Sequence, residues 1–222
     1  MYKRQAEASL QELSPASRAR QWYARHQLET AFQRFVAYEH QAAVINIWQL
    51  LFVPGLLQTE EYARAVTALS LRRSPDDPDV SSLVKLRMDR QRAFRDRLGG
   101  ADPPRIVALI DESVLRRPVG GPDCLRRQLD HLLGLAADTE TYTIGVLPLG
   151  LAHAGVRGTF ELLEFTAPER DDVLFVEAVA GASVLTTNRT PVFRDIIQDL
   201  MGDGRVGDEA AELVRSVRAA LR

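Results

Sequence analysis

The chain has 222 residues, 45% hydrophobic and 26% charged, with a formal net charge of −2, an ordinary globular balance that excludes a polyanion binder acting through the chain as a whole. Its single cysteine, Cys124, excludes a disulfide framework within a monomer. The first twenty residues carry no apolar core of the signal-peptide kind, and the apolar runs fall short of the roughly 20 residues that span a bilayer, so a soluble, cytoplasmic protein is expected.

Arginine makes up 26 of the 28 basic residues, which together with abundant alanine suggests a GC-rich source genome. Ser14-Pro15 reads as a helix start, a hydroxyl cap followed by proline at the first helical position. A helical pattern with room for one break runs from there to about Phe52, with Phe32, Phe35, Val36, Ala42 and Ala43 on one face. Pro54-Gly55 forces a turn, and Thr59 caps the next helix, whose first turn holds Glu60 and Glu61. After a polar linker, a helix is expected from Asp79 to Leu98, stopped by Gly99-Gly100. Ile106 to Ile110 reads as a buried strand, Asp111 as the cap of a short helical turn, and Pro122 to Ala137 as an amphipathic helix.

The period then changes from 3.6 to 2. Strands are expected at Thr141–Leu147, Thr159–Phe165 and Val173–Val179, with a shorter one near Ser183–Thr186. Helices from Thr190 to Met201 and from Asp208 to Leu221 close the chain. The fold class is therefore α+β: N-terminal helices, a small, mostly antiparallel sheet and C-terminal helices. Residues 1–20 read as an N-terminal extension and 21–222 as a single effector-like domain.

Several polar residues occupy positions where the pattern demands apolar ones. Arg87 and Gln91 interrupt the stripe Val80, Leu83, Val84, Phe94, Leu98. Glu39 sits between Val36 and Ala43, Gln128 beside Leu125 and Leu129, Glu177 on the strand face of Phe175, and Glu112 at the end of a buried strand. Buried unpaired charge is costly, so Arg87 is expected to pair with Glu39, Glu112 or Glu177. Such a set makes either a structural ion-pair network or the polar floor of a ligand pocket. Seven of the 15 aromatic residues fall within residues 22–52, Trp48 among them, as core packing or as the wall of a cleft.

The four histidines lack metal spacing, and neither a phosphate-binding loop nor a nucleophile elbow is present, so no metal or cofactor is expected. The glycine-rich stretch 150–158 reads as a flexible loop, and His153 within it is the single residue best suited to acid–base work. Cys124 begins a helix, a position that can lower a thiol pKa, but no base accompanies it. The basic stretch Lys85 to Arg97 reads as a solvated helix face rather than a DNA contact.

A set of segments carries a family resemblance: Tyr38 to Ala43 (YEHQAA), Val53 to Val66 (VPGLLQTEEYARAV), Arg87-x-x-Arg90-Gln91 and Asp111 to Gly121 (DESVLRRPVGG). Gln128-Leu129, Val146 to Pro148, Gly150-x-x-His153, Gly158 to Phe165 and Val176-Glu177 follow in order. From about Gln21 onward the chain resembles the C-terminal domain of actinobacterial Xre-type helix-turn-helix regulators of the antitoxin-like Scr family. About twenty residues precede the matching part, too few for a packed DNA-binding domain, so direct DNA binding is not expected.

The resemblance implies a regulatory effector domain that binds a small-molecule ligand or a small companion protein and can form a homodimer. The segment 1–35, with six basic and three acidic residues, could pack on a partner. The ligand-binding set would be Glu39, Trp48, Gln58, Tyr62, Arg87, Gln91, Glu112, Gln128 and Phe160. The alternative is an enzyme of secondary metabolism, a cyclase, isomerase or lyase recruited from the same domain, with His153, Glu39 and Glu177 as its acid–base groups.

Overall fold

The computed structural model describes residues 30–167, 169–177, 183–186 and 188–221, with the side chains of 30, 31, 177 and 183–186 outside that description. The elements in chain order are α1 (Thr30–Glu39), β1 (Val44–Gln49), a 3-10 turn (Gly55–Leu57), α2 (Glu60–Leu71), α3 (Pro78–Arg97) and β2 (Arg105–Asp111). Then come α4 (Glu112–Arg116), α5 (Pro122–Ala136), β3 (Tyr142–Leu147), a second 3-10 turn (Ala154–Arg157), β4 (Phe160–Glu164), β5 (Val173–Glu177), β6 (Ser183–Thr186), α6 (Thr190–Asp203), β7 (Arg205–Val206) and α7 (Asp208–Ala220). The helix start expected at Ser14-Pro15 lies outside the described residues.

The fold is α+β. One seven-stranded mixed sheet runs in the order β6-β5-β4-β1-β2-β3-β7. Four of its six pairings are antiparallel; β1–β2 and β2–β3 are parallel. A parallel pairing needs a long crossover, and helices supply it here: α2 and α3 between β1 and β2, α4 and α5 between β2 and β3. The carboxyl ends of these three central strands, at Gln49, Asp111 and Leu147, consequently share one edge of the sheet.

The strand β1 corrects the expectation of helix up to Phe52. α1 stops at Glu39, and Val44–Gln49 pairs with both β2 and β4 at the centre of the sheet. The two-residue β7, paired with Gly145 and Val146, is a further addition. Caps behave as local chemistry predicts. Tyr62 N donates to Thr59 Oγ1 at 3.2 Å, and Ser113 N donates to Asp111 Oδ1 at 2.9 Å.

Alternate strand residues face opposite sides, which gives three layers. On one side Ile45, Ile47, Ile106, Ile110, Ile144, Val146 and Phe175 meet apolar residues of α1, α2, α3, α5 and α7 in the main core. On the other, Trp48, Leu109, Leu147, Phe160 and Leu174 meet Ile196, Ile197 and Leu200 of α6. Among the described residues, α6 and the segment 148–158 cover that second layer, so the loop after β3 lies where a helix could over the end of the sheet.

Candidate binding edge

Asp111 ends β2 and caps α4. Its Oδ1 accepts from the Ser113 amide and from the Ser113 hydroxyl, which leaves Oδ2 facing His153 Nε2 at 3.7 Å. That spacing is beyond hydrogen-bond reach and within ion-pair reach once the imidazole is protonated. The His153 side chain is only 5% exposed, so the histidine expected on a flexible loop is instead tucked under it. Its ring stands edge-on to Trp48, centroids 5.1 Å apart, and its Nδ1 is buried with no hydrogen-bond partner among the described residues.

Trp48, fully buried, donates from Nε1 to the Gly155 carbonyl at 2.8 Å. Gly155 lies so close to the indole that an added Cβ would come within 2.5 Å of the ring. Glu112 makes the third attachment: its Oε2 accepts from Leu149 N at 3.0 Å, and its Oε1 accepts from Arg116 Nε at 2.8 Å. Burial pushes the Glu112 carboxyl upward, but the Leu149 amide and Arg116 outweigh it and hold the pKa below the ordinary value. Trp48, Asp111 and Glu112 thus strap the segment 148–158 across the carboxyl edge of the central strands.

The outer side of that edge carries exposed apolar side chains beside a largely polar groove. Leu149 is 57% and Val156 72% exposed, and Leu151 is exposed within the same segment; with Leu51, just past the end of β1, these are four of the seven large apolar residues left exposed among the described residues. An open groove of about 670 Å³ runs along it, lined by Pro148, Gly150, Leu151, Asp203, Gly204, Arg205, Glu209 and Glu212. The carboxyl edge of parallel strands is where open α/β sheets place their ligands.

The residues expected to form a ligand pocket separate into several groups. Glu39 is buried and held by Arg90, Nε to Oε1 at 3.0 Å and Nη2 to Oε2 at 2.5 Å, with Phe32 and Phe35 flanking the guanidinium. Arg90 therefore takes the place expected of Arg87, which donates to Thr67 Oγ1 at 3.0 Å. The space beside Glu39 and Arg90 measures only about 10 Å³, too small for any ligand beyond a single water.

Gln58, Gln91 and Gln128 converge on the buried loop 53–59 instead. Gln58 Nε2 donates to Val53 O at 2.6 Å, and Gln91 Nε2 to Gly55 O and Gln58 O at 2.9 and 2.8 Å. Gln128 Nε2 donates to Leu57 O at 2.8 Å, and its Oε1 accepts from Thr59 N at 2.7 Å. Tyr62 joins them: burial pushes its phenol to about 12, and its oxygen accepts from Val53 N at 3.5 Å. These side chains replace the backbone partners that an irregular buried loop lacks.

Only Trp48, Phe160, Glu112 and His153 belong to the strapped edge and its underlying core. Glu177 ends β5, and its side chain lies outside the described residues. Asp111, Asp203, Glu209 and Glu212 went unnoticed as site residues, because long-range pairing brings them to one edge: the parallel pairing of β1–β3 for Asp111 and the antiparallel β3–β7 pairing for the other three. The Cys124 thiol is raised by burial, then by Glu61, contrary to the lowered value its place at a helix start allowed. Among the described residues no cluster of three metal-ligating side chains occurs, and no helix is long and apolar enough to cross a membrane.

No curated protein and no solved structure matches the chain. Residues 32–216, which span the sheet and its helices from α1 into α7, match the family DUF5753, a domain of unknown function. The chain belongs to the DUF5753 family.

Proposed function

We propose that this domain is a regulatory effector module that binds a partner chain across the strapped carboxyl edge of β1–β3. One contrast carries the reading. Glu39, Gln91 and Gln128 are spent on internal bonds around nearly closed space, while exposed leucines and an open groove of about 670 Å³ gather at one edge. Exposed apolar side chains rimmed by polar ones are a common mark of a protein–protein contact. The resemblance of the sequence blocks to C-terminal domains of Xre-type regulators supports the same role, with a small companion protein as the partner.

The test is co-expression with each protein encoded beside the gene, followed by size-exclusion chromatography. A complex that survives Leu69→Asp, a substitution on exposed α2, but dissociates with Leu149→Asp/Leu151→Asp supports the reading. A complex indifferent to the edge substitutions places the interface elsewhere and removes it.

The His153 ring, with Nε2 facing Asp111 and a buried Nδ1 that has no partner among the described residues, favours a second reading, a small-molecule enzyme with His153 as acid or base. Incubating sub-stoichiometric protein with a metabolite extract of the source organism tests it by mass spectrometry. Turnover abolished by His153→Ala would establish the enzyme; unchanged turnover in that variant would sink His153 as its base.

A further inference from the structure

We propose that the groove at the strapped edge receives a basic segment of the partner, one bearing arginine or lysine beside leucine-like side chains. The inference rests on the partner-binding reading above and gives that partner a chemistry. The ionisable lining of the groove is three carboxylates, Asp203, Glu209 and Glu212, against one guanidinium, Arg205. All four are exposed, and none makes an ion pair within 4 Å among the described residues.

Cations are not scarce in this chain. Arginines hold Glu39, Glu61, Glu112, Asp130 and Asp172, yet the acids of the groove are left open.

The helices sharpen the argument. Glu209 in the first turn of α7 suits that helix's dipole, but Asp203 ends α6, where the dipole favours a cation, and α6 has no basic residue in its last turn. The negative end of α6 and the three carboxylates therefore add their fields at one place. Within the fold this costs stability; toward a basic partner it is complementary.

An arginine entering from outside could form charge-assisted bidentate bonds with these acids. Leu151 in the groove and Leu149 beside it would bury against apolar side chains of the same segment. A purely polar polycation would leave those leucines uncovered, and an acidic peptide would meet repulsion.

The test is selection of random linear peptides displayed on phage against the full chain, with the recovered peptides re-assayed on variants. The expected peptides interleave arginine or lysine with leucine, isoleucine or phenylalanine. Their binding weakens more than about tenfold in Glu209→Lys/Glu212→Lys and falls as salt rises from about 0.05 to 0.3 M. Both positions are exposed, and an unchanged melting curve checks that the variant remains folded. Peptides lost on Leu149→Asp/Leu151→Asp but indifferent to charge reversal overturn the basic-segment inference and leave the partner-binding edge standing. Peptides indifferent to both variants, or no enrichment, overturn both. Displacement of the peptides by spermidine alone at comparable affinity would make the groove a simple cation site and overturn the inference.

Discussion

Arg90 on α3 and Glu39 at the end of α1 form a bidentate ion pair across 51 residues of sequence, with both side chains less than a tenth exposed. Such a pair joins elements more than it adds net stability, because two desolvated charges roughly consume their own attraction. Removing one partner strands the other. Arg90→Met is therefore expected to cost about 3–5 kcal/mol in urea unfolding, with Glu39→Leu/Arg90→Met recovering much of the loss. A double variant as unstable as the single one would mean that packing on Phe32 and Phe35, not charge, holds this site.

Gln128 closes two backbone groups of the loop 53–59 at once, Leu57 O and Thr59 N. Leu fits the volume but serves neither group. Gln128→Leu should destabilise by roughly 2–4 kcal/mol, the sum of two buried groups left unsatisfied. Amide exchange at Thr59 gives the local readout. It should accelerate far more than exchange at Ile47, in the central strand; equal acceleration would mean global unfolding and no special tie to the loop.

Local chemistry was legible in the sequence, and long-range pairing was not. The caps at Thr59 and Asp111, and the inward turn of Glu39, Gln91 and Gln128, follow from residue type and helical spacing, and all are observed. β1 was hidden because no glycine or proline marks the turn between Glu39 and Val44, so a helical pattern reads straight through it. Arg87 and Arg90 were confused because α3 is buried on more than one side: Arg87 turns to Thr67 on α2, Arg90 to Glu39 on α1. The groove could not be read at all, since its walls come from residues 148–151 and 203–212, far apart in sequence and brought together where β7 pairs with β3.

Glu112 gives a pH dependence of defined sign. Its folded pKa lies below the ordinary carboxylate value because Leu149 N and Arg116 bind the charged form against the upward push of burial. Its contribution to stability is therefore present above the unfolded pKa and is lost as pH falls through the folded one. Wild type should lose more stability than Glu112→Gln between neutral pH and about pH 3. Parallel unfolding curves for the two proteins across that range would show that Leu149 and Arg116 do not favour the charged carboxylate.

Cys124 is buried, and its thiol is pushed above the ordinary value by burial and by Glu61. Thiolate is the reactive species, so at neutral pH little is present and little is reachable. Disulfide reagents should label the native chain slowly and the urea-unfolded chain fast. Rapid labelling of the native chain would mean that the start of α5 opens readily.

Gly155 and Trp48 make the strap sensitive to one methyl group. A Cβ at 155 would fall 2.5 Å from the indole, a distance that real contacts do not reach, and the ring is locked in the sheet with no room to retreat. The loop must yield in Gly155→Ala, lifting its carbonyl from Trp48 Nε1 and loosening the cover over His153. With Trp22→Phe as background, Trp48 is the only tryptophan. Gly155→Ala should then shift its emission to the red and expose it to iodide, while the melting temperature falls by only a few degrees, roughly 1 kcal/mol for a loop contact. Partner binding at the edge should weaken in the same variant, because Leu149, Leu151 and Val156 move with the strap. An unshifted emission spectrum would show that the loop absorbs the methyl group without leaving the indole, and that the strap is slacker than its contacts imply.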